Sequence, residues 1–298
     1  MNRRELTKRD FLRTAMVGTA VSVTGCTGLS PQRNRSRTNG TTPDGADGHA
    51  TDSNVTDSTA TNSTAINSSA TPRYDTIDTA DMVVVFEDTF AADALDETAW
   101  ATEYPWGSRI HNYNGYAAPE NVYVYRNSLV IEAEKKPQHG KTYTTGVVTP
   151  TREFSPGYFE ASVKIPPTVE GFWPAFWMTP VDAWPPEIDI FEFFGADPRA
   201  QLTYHYSDML GRRRKASGTA PVPDANTTYH TYAVDWRPDE IVWYIDGVAV
   251  FQFGGSHVTS QAMRLIFNLG IDAPFLGTPR DEDLPAVLEI DHVRVWER

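Results

Sequence analysis

The sequence predicts an all-β protein whose main domain, residues 81–298, is an antiparallel β-sandwich. Runs of alternating apolar and polar residues are separated by Gly, Pro, Asn or Asp, as in strands joined by turns. No long segment shows a sustained helical stripe of apolar residues. Short strands at this spacing favour one sandwich over two small domains. The clearest strands are residues 121–125, 128–134, 157–165, 229–236, 241–251 and 288–296.

One turn within these strands can be placed from the sequence. The dipeptide Asp246-Gly247 separates the apolar run 241–244 from the run 248–250. Asp-Gly is favoured in two-residue hairpin loops because both positions take positive φ angles there. The sequence therefore predicts a hairpin centred on this dipeptide.

Residues 1–25 have the pattern of an export signal peptide. A basic region precedes a short apolar run, residues 15–23, that is too short to span a bilayer. Lys8-Arg9 resembles the paired basic residues of a twin-arginine signal, and Arg3-Arg4 is an alternative pair. The run ends at Cys26 in a sequence that resembles a lipobox, so we expect Cys26 to carry a lipid. This predicts export to an extracellular location with a lipid anchor at the cell surface; a plain signal peptide with an incidental cysteine is the alternative.

Residues 26–80 form the predicted linker between that anchor and the β-sandwich. Thr, Ser, Asn, Asp, Ala and Gly dominate the segment, and large apolar residues are almost absent. Such a composition buries too little surface to offset the entropy of an ordered chain. We therefore expect this segment to be disordered.

Charge and cysteine content exclude several classes of function. The net charge is −13, from 39 acidic and 26 basic residues, which argues against a nucleic-acid partner because phosphate binding needs a basic surface. Only six of the basic residues are lysines, and an acidic, lysine-poor surface fits adaptation to high salt; an ordinary acidic secreted protein is the alternative. The single cysteine, Cys26, rules out an intramolecular disulfide. We expect a monomer.

The most informative segment is the acidic strand EIDIFE, residues 187–192. Glu187 and Asp189 point to one face of a strand, because side chains alternate. Glu192 has the wrong parity for that face, so it joins them only if one extra residue bulges out. The flanking residues are apolar or aromatic, and three carboxyls in such surroundings cannot all ionise easily, which raises at least one pKa.

Paired carboxyls with different protonation states are what glycoside hydrolysis requires: one attacks, and the other protonates the leaving oxygen. The residues alone leave other interpretations open. Glu192 could point outward while Glu187 pairs with an arginine, or the three acids could bind a metal ion.

The chain resembles glycoside hydrolase family 16 over nearly all of residues 82–298. The acidic strand is similar to the family signature Glu-X-Asp-X-X-Glu, in the bulged form of laminarinases and agarases rather than the unbulged lichenase form. Further matching segments follow in family order: residues 86–90, 119–122, 157–161, 171–178 and 288–295.

The resemblance implies a concave jelly roll whose cleft binds a polysaccharide, and cleavage of β-glycosidic bonds with retention of configuration. By the matching positions, Glu187 would be the nucleophile and Glu192 the general acid/base. Asp189 would lie between them, hold the geometry of the nucleophile and modulate the pKa of the acid/base. No cofactor is expected for this chemistry.

Several side chains are candidates for binding the sugar chain. Pyranose rings stack on aromatic faces, and the matching positions suggest Trp173 and Trp184 for that role. Trp106 lies in a Pro-Trp-Gly loop, while Trp177 and His205, which resembles a cleft histidine of laminarinases, could be either cleft or core residues. Asn121 and Asn268 are further candidates for contacts with sugar hydroxyls.

Two features bear on specificity and on metal binding. Laminarinases often have an arginine on the glycone side where this chain has Val147, so the contacts there differ from the family pattern. Family members often bind a structural calcium ion far from the cleft, and Glu87 and Asp291 match its acidic ligands.

We therefore expect a retaining endo-β-1,3-glucanase that acts on a β-glucan polysaccharide. Another β-glycan, such as mixed-linkage glucan, agarose or carrageenan, is the alternative substrate. A cell-surface transglycosylase and a non-catalytic glucan-binding module are the alternative functions, and retention of all three acids argues against the module.

Overall fold

The computed structural model describes Ile77, Thr79 and residues 81–298. The predicted signal peptide, Cys26 and nearly all of the predicted linker lie outside the described residues. In chain order, the strands are β1 (Val83–Asp88), β2 (Trp100–Ala101), β3 (Gly115–Ala117), β4 (Val122–Tyr125), β5 (Ser128–Ala133), β6 (Tyr143–Thr145), β7 (Val147–Pro150), β8 (Gly157–Lys164), β9 (Phe172–Thr179), β10 (Glu187–Glu192), β11 (Arg199–Ser207), β12 (Arg213–Pro221), β13 (His230–Trp236), β14 (Glu240–Ile245), β15 (Val248–Gly254), β16 (Arg264–Ile271) and β17 (Ala286–Glu297).

Most strands form two antiparallel sheets, which confirms the predicted fold class. The eight-stranded sheet has the order β15-β14-β13-β8-β17-β5-β4, with β1 paired to β17. The seven-stranded sheet has the order β12-β11-β10-β9-β16-β7-β2, so the acidic strand β10 lies near its middle. One pair departs from the predicted arrangement: β3 and β6 pair in parallel and form a separate small sheet.

Helical structure among the described residues is limited to two 3-10 turns, Pro119–Asn121 and Asp281–Asp283. No helix in this part of the chain is long and apolar enough to cross a membrane.

The predicted hairpin is present between β14 and β15. Asp246 and Gly247 have φ angles of 51° and 75°, as a two-residue turn of this kind requires. The two strands pair from Ile245↔Val248 to Glu240↔Gly254.

The core fills the space between the two sheets. From the seven-stranded sheet, Phe176 and Phe267 contribute rings stacked 4.2 Å apart, and Phe191 packs against Tyr232 of the opposite sheet at 4.5 Å. Trp236 and Trp243 are fully buried from the other side. Because inward positions take the large apolar residues, the outward positions of the seven-stranded sheet are left for polar side chains.

Candidate active site

The β10 strand places its three carboxyls on the outer face of the seven-stranded sheet by means of the predicted bulge. Pairing with β11 runs Glu187↔His205 and Asp189↔Thr203, and then shifts so that Glu192 lies opposite Gln201. The pairing with β9 shifts at the same point. Ile188, Ile190 and Phe191 are buried at 0–1% exposure. The irregularity lets two consecutive residues, 190 and 191, be buried and returns Glu192 to the outer face.

The main chain of this irregular segment is held from the opposite sheet. The indole Nε1 of Trp243, on β14, donates to the backbone oxygen of Asp189 at 2.8 Å. A buried carbonyl beside a bulge lacks a regular ladder partner, and this hydrogen bond supplies one. The core thus fixes the position from which the Asp189 side chain projects.

Glu187 has two polar neighbours at its carboxylate. Trp184 Nε1 donates to Oε2 at 3.1 Å, and His205 Nε2 lies 3.5 Å from Oε1. Trp184 is 36% exposed, so its indole N–H orients the carboxylate while part of the side chain remains accessible. Its ring centroid is 5.6 Å from that of His205.

Asp189 is the most enclosed of the three acids. Its side chain is 4% exposed, and Oδ2 lies 3.4 Å from His205 Nε2. That oxygen makes no hydrogen bond within the described residues. His205 therefore faces two carboxylates at once, which connects Glu187 and Asp189 electrostatically.

Glu192 is held by a tryptophan of the neighbouring strand β9. Trp173 Nε1 donates to Oε1 at 2.9 Å. Tyr113 is close enough that the charge of Glu192 adds to the effect of burial in raising the pKa of the Tyr113 hydroxyl. Glu187 and Glu192 thus each receive one indole N–H, from Trp184 and Trp173 respectively.

Burial is the largest cause of the pKa shifts in this cluster, and it raises the pKa of all three carboxyls. The charge of Asp189 raises the pKa of Glu187 and of Glu192 further. His205 acts in the opposite direction on both glutamates. Because burial raises all three pKa values and the groups are coupled, a protonated carboxyl is favoured in the cluster, as acid/base chemistry requires.

Lys215 is a part of this site that sequence reasoning missed. It lies on β12 directly opposite His205, and its charge lowers the pKa of Asp189 and of Glu192. The signal in the sequence is weak, because Lys215 is two strands from the acids and only the sheet register brings it to the same face.

An aromatic cluster surrounds Trp173 at one side of the acids. The Trp173 ring centroid is 5.4 Å from Tyr113, 5.5 Å from Phe194 and 5.6 Å from Phe275. Phe275 is 56% exposed. An exposed aromatic surface next to a carboxyl is suited to a sugar ring, whose C–H face is apolar. Tyr113, Phe194 and Phe275 were not singled out from the sequence, because Tyr113 and Phe275 come from distant loops.

The structure favours the core alternative for Trp177 and does not support the predicted contact of Asn268 with sugar hydroxyls. Both lie on the outer face, but each is only 7% exposed. Trp177 Nε1 donates to Asn268 Oδ1 at 2.8 Å, and Asn268 Nδ2 donates to Asn112 Oδ1 at 3.0 Å. Tyr104 OH donates to the same Asn112 oxygen at 2.5 Å. Their polar groups therefore hold one another and the loop of residues 104–112, rather than a sugar.

Trp106 covers this network and is accessible, as its predicted role requires. Its ring stacks on Tyr104 at 5.0 Å and is 39% exposed. It also lies 6.3 Å from Trp177 and 5.4 Å from His111. Trp106 is thus the accessible aromatic surface at the side of the sheet where Trp177 is covered.

Asn121 is not part of this site. It is fully buried, and its Nδ2 donates to the backbone oxygen of Glu132 at 2.8 Å. The side chain stabilises the chain where the first 3-10 turn leads into β4. The prediction that Asn121 contacts sugar hydroxyls is not supported, because the side chain is fully buried and its amide donates to an internal acceptor.

The proposed calcium ligands carry cationic partners. Glu87 Oε1 accepts from Arg294 Nε at 2.6 Å, and Asp291 Oδ2 lies 3.0 Å from His292 Nδ1. A calcium ion would have to replace these partners, so the arrangement does not favour it. Calcium binding at Glu87 and Asp291 stays a prediction from the resemblance.

Among the described residues, one group of side chains could hold a metal ion by its geometry. Oxygen atoms of Glu187 and Asp189 and a ring nitrogen of His205 lie within 4.8 Å of one another. Two carboxylates and an imidazole suit several divalent ions. The same arrangement of atoms also suits metal-free acid/base chemistry.

Buried carboxyls on an open β-sheet face, flanked by partly exposed tryptophans, define a carbohydrate-processing site. The family model for "Glycosyl hydrolases family 16" matches residues 110–272. The chain is 32% identical to a β-glucanase of Rhodothermus marinus over 72% of this chain and 84% of that protein. An endo-1,3-1,4-β-glycanase of Rhizobium meliloti is also 32% identical, over 61% of this chain and 40% of that longer protein.

Solved structures agree with this assignment. The laminarinase of Rhodothermus marinus superposes with a TM-score of 0.63 at 29% identity, covering 72% of this chain and 97% of that one. The chain therefore belongs to glycosyl hydrolase family 16, and it is a glycoside hydrolase.

Proposed function

We propose that this protein is a retaining endo-β-glucanase that cleaves β-1,3-linked glucan. The observation that carries the proposal is the β10 bulge, which places Glu187, Asp189 and Glu192 on one face with an indole N–H on each glutamate. The similarity to a β-glucanase and to a laminarinase supports β-glucan as the substrate.

In the first step, the ionised Glu187 carboxylate attacks the anomeric carbon of the sugar. A glycosyl ester bond forms as the bond to the leaving oxygen breaks, and Glu192 gives its proton to that oxygen. The Trp184 N–H donates to Glu187 Oε2 at 3.1 Å. The other carboxylate oxygen, Oε1, has the longer contact, 3.5 Å to His205 Nε2.

In the second step, Glu192 is a carboxylate and removes a proton from water while the water attacks the same carbon. The ester bond to Glu187 breaks and the sugar leaves with its original configuration. Asp189 supports the first step, because burial and the charge of Asp189 both raise the pKa of Glu192 and so favour the protonated acid at the start of the cycle.

A substrate panel tests this function. The purified protein is incubated with β-1,3-glucan, mixed-linkage glucan, agarose and carrageenan in low and high salt, and products are separated by size. We expect β-1,3-linked oligosaccharides of several lengths from the first substrate. Single glucose units would indicate an exo mode, and elongated products with added acceptor sugars would indicate transglycosylation. Binding without cleavage of any substrate would contradict an enzymatic role.

A chelator distinguishes a metal-dependent site from metal-free acid/base catalysis. We propose that catalysis uses no metal ion, because Glu187 and Glu192 already receive N–H donors suited to free carboxylates. Turnover of β-1,3-glucan should then survive exhaustive dialysis against EDTA. Loss of activity that Zn²⁺ or Mn²⁺ restores would assign Glu187, Asp189 and His205 to a metal centre instead.

We also infer that the protein is exported and anchored through Cys26, and that it acts as a monomer. The basis is the signal-like sequence of residues 1–25 and the lipobox-like segment that ends at Cys26. Cys26→Ala should release the protein from the membrane fraction and abolish labelling with a radioactive fatty acid. Unchanged membrane association would contradict the anchor without affecting the enzymatic proposal.

A further inference from the structure

A strongly basic stretch borders the cleft on a protein that is acidic as a whole. Residues 212–215 are three arginines and a lysine in succession, in a chain with a net charge of −13. Arg212 immediately precedes β12 and the other three begin it; β12 is the edge strand of the seven-stranded sheet and lies two strands from β10. These cations thus lie in the same sheet as the three buried carboxyls.

The four cations divide into two pairs. Arg212 Nε and Arg214 Nε both donate to Asp208 Oδ2, at 2.8 Å and 3.1 Å, and so stabilise the turn between β11 and β12. Arg213 and Lys215 alternate with them and lie on the other face. Within the described part of the chain, neither is within ion-pair distance of a carboxylate.

The unpaired cations lie next to the catalytic residues. The guanidinium carbon of Arg213 is 4.7 Å from the centre of the Trp184 ring, whose indole donates to Glu187. Lys215 is opposite His205, which is itself opposite Glu187. Glu187, His205 and Lys215 therefore lie side by side on three neighbouring strands. This row runs from the proposed nucleophile to an exposed cation.

An effect on the charge of the buried acids explains the position of Lys215 but not that of Arg213. Lys215 lowers the pKa of Asp189 and of Glu192, whereas Arg213 is not among the main influences on any of the three carboxyls. A neutral glucan would gain little from a solvated guanidinium. A negatively charged sugar would be repelled by the acids unless a cation faced it.

We propose that the β12 side of the cleft accepts a sugar with an anionic substituent, a sulfate ester or a carboxylate, and that Arg213 is the residue that selects it. A guanidinium on an aromatic face suits this role, because its planar N–H groups match the oxygens of sulfate and carboxylate in pairs. The inference rests on the proposed function and narrows its substrate to a β-glycan with anionic groups.

The strand order makes this preference one-sided. On the far side of β10, the row that contains Glu192 runs through Ala175 and Asn268 to Val147, all buried and uncharged. Anionic groups are therefore expected to be accepted at sugars over β11 and β12, and not at sugars over β16 and β7. Mapping which sugars of the product carry the charged group tests that asymmetry.

The experiment compares three forms of one β-1,3-glucan: neutral, partially sulfated, and partially oxidised to carboxylates at C6. The measured quantity is kcat/KM on each charged form divided by kcat/KM on the neutral form, at the lowest KCl concentration that keeps the protein folded. Arg213→Gln should lower this ratio about tenfold for the charged form that fits, as loss of one charge-assisted contact implies. Arg199→Gln is the matched control, because Arg199 is exposed at the other end of the same hairpin and pairs with Asp197.

The charged arm that responds identifies sulfate or carboxylate as the group bound. A ratio unchanged by Arg213→Gln, or an equal loss on the neutral glucan, would overturn the proposal, since Arg213 would then only orient Trp184. Binding to Glu187→Gln, with and without Arg213→Gln, gives a readout that does not need turnover. Binding of charged glycans no tighter than neutral ones would overturn the proposal, whereas failure to cleave neutral glucan would contradict only the proposed β-glucanase.

Discussion

The outer faces of the two sheets both carry carboxylates, but they surround them differently. On the eight-stranded sheet, Glu87 accepts from Arg294 at 2.6 Å, and Glu160 lies 3.6 Å from His292. The pKa of Glu160 is lowered even though burial alone would raise it, because the hydrogen bonds with His292 and Tyr158 and the charges of His292 and Arg294 together outweigh burial. Both acids have a basic side chain as partner and stabilise the fold.

On the seven-stranded sheet, the partners of the buried acids do not fully offset the cost of burying their charge. Burial raises the pKa of Glu187, Asp189 and Glu192, and their partners are mostly neutral indole N–H groups and a shared histidine. A carboxyl buried without a cation is costly for stability and is retained where its proton is used. We therefore infer that the acids of the seven-stranded sheet serve catalysis and those of the eight-stranded sheet serve the structure, and this difference can be tested one residue at a time.

The largest expected effect comes from removing the attacking charge. Glu187→Gln keeps the shape and the Trp184 neighbour but cannot form the glycosyl ester, so kcat on β-1,3-glucan should fall by roughly a thousandfold or more. Binding of the polysaccharide, measured by affinity electrophoresis, should persist. Glu87→Gln, on the other sheet, is the matched control and should leave kcat close to that of the wild type. Near-normal turnover by Glu187→Gln would reject its role as nucleophile.

A second large effect should follow from Glu192→Ala. Turnover of glucan should fall by about a hundredfold or more, since general acid catalysis is lost. A dinitrophenyl glycoside needs little protonation to depart, so its glycosylation step should be spared. Added azide should then accelerate the second step, because it attacks without a general base, and give a β-configured glycosyl azide. No rescue, or an α product, would show that Glu192 is not the acid/base.

The coupling among the acids should appear as shifts of the pH–rate profile. Asp189 raises the pKa of Glu192, and Lys215 lowers it. The alkaline limb of the profile reports loss of the Glu192 proton, so Asp189→Asn should move it to lower pH and Lys215→Gln to higher pH. Lys215→Arg retains the charge and should move it least. Shifts of the same sign for Asp189→Asn and Lys215→Gln would contradict this electrostatic arrangement.

The local patterns of the sequence predicted the geometry of the β10 strand. The parity of Glu187, Asp189 and Glu192 requires a bulge if they are to share a face, and the register shifts there. The Asp246-Gly247 hairpin was equally accessible, because turn chemistry is set by adjacent residues.

Features that depend on distant pairing were not predictable in this way. Lys215 joins the site through the β11–β12 register, and Tyr113 reaches Trp173 from a loop with positive φ. Asn121 was misplaced for the same reason: an asparagine before a strand has no local sign that its amide will bond to the Glu132 carbonyl in the interior. Resemblance indicates which positions matter in a family, whereas burial of one side chain depends on tertiary packing.

The smallest expected effect concerns the structural acids of the eight-stranded sheet. The hydrogen bond to Glu160 is the main cause that raises the pKa of His292 above 6.5, with Asp291 contributing, while the pKa of Glu160 is lowered below 4.5. A raised histidine pKa adds stability below its unfolded value that is lost as pH rises through the folded value. A lowered glutamate pKa adds stability above its unfolded value that is lost as pH falls through the folded value.

The pair should therefore contribute most between the lowered pKa of Glu160 and the raised pKa of His292. A double-mutant cycle with His292→Gln and Glu160→Gln should give a coupling free energy below about 1 kcal/mol near pH 5.5, because both groups retain some solvent contact. Near pH 9 the coupling should shrink towards zero as His292 loses its proton. Chemical unfolding of the four proteins at both pH values measures it. A coupling that is equal at the two values would show that the pair is held by packing, and the contrast between the two faces would then rest on the catalytic sheet alone.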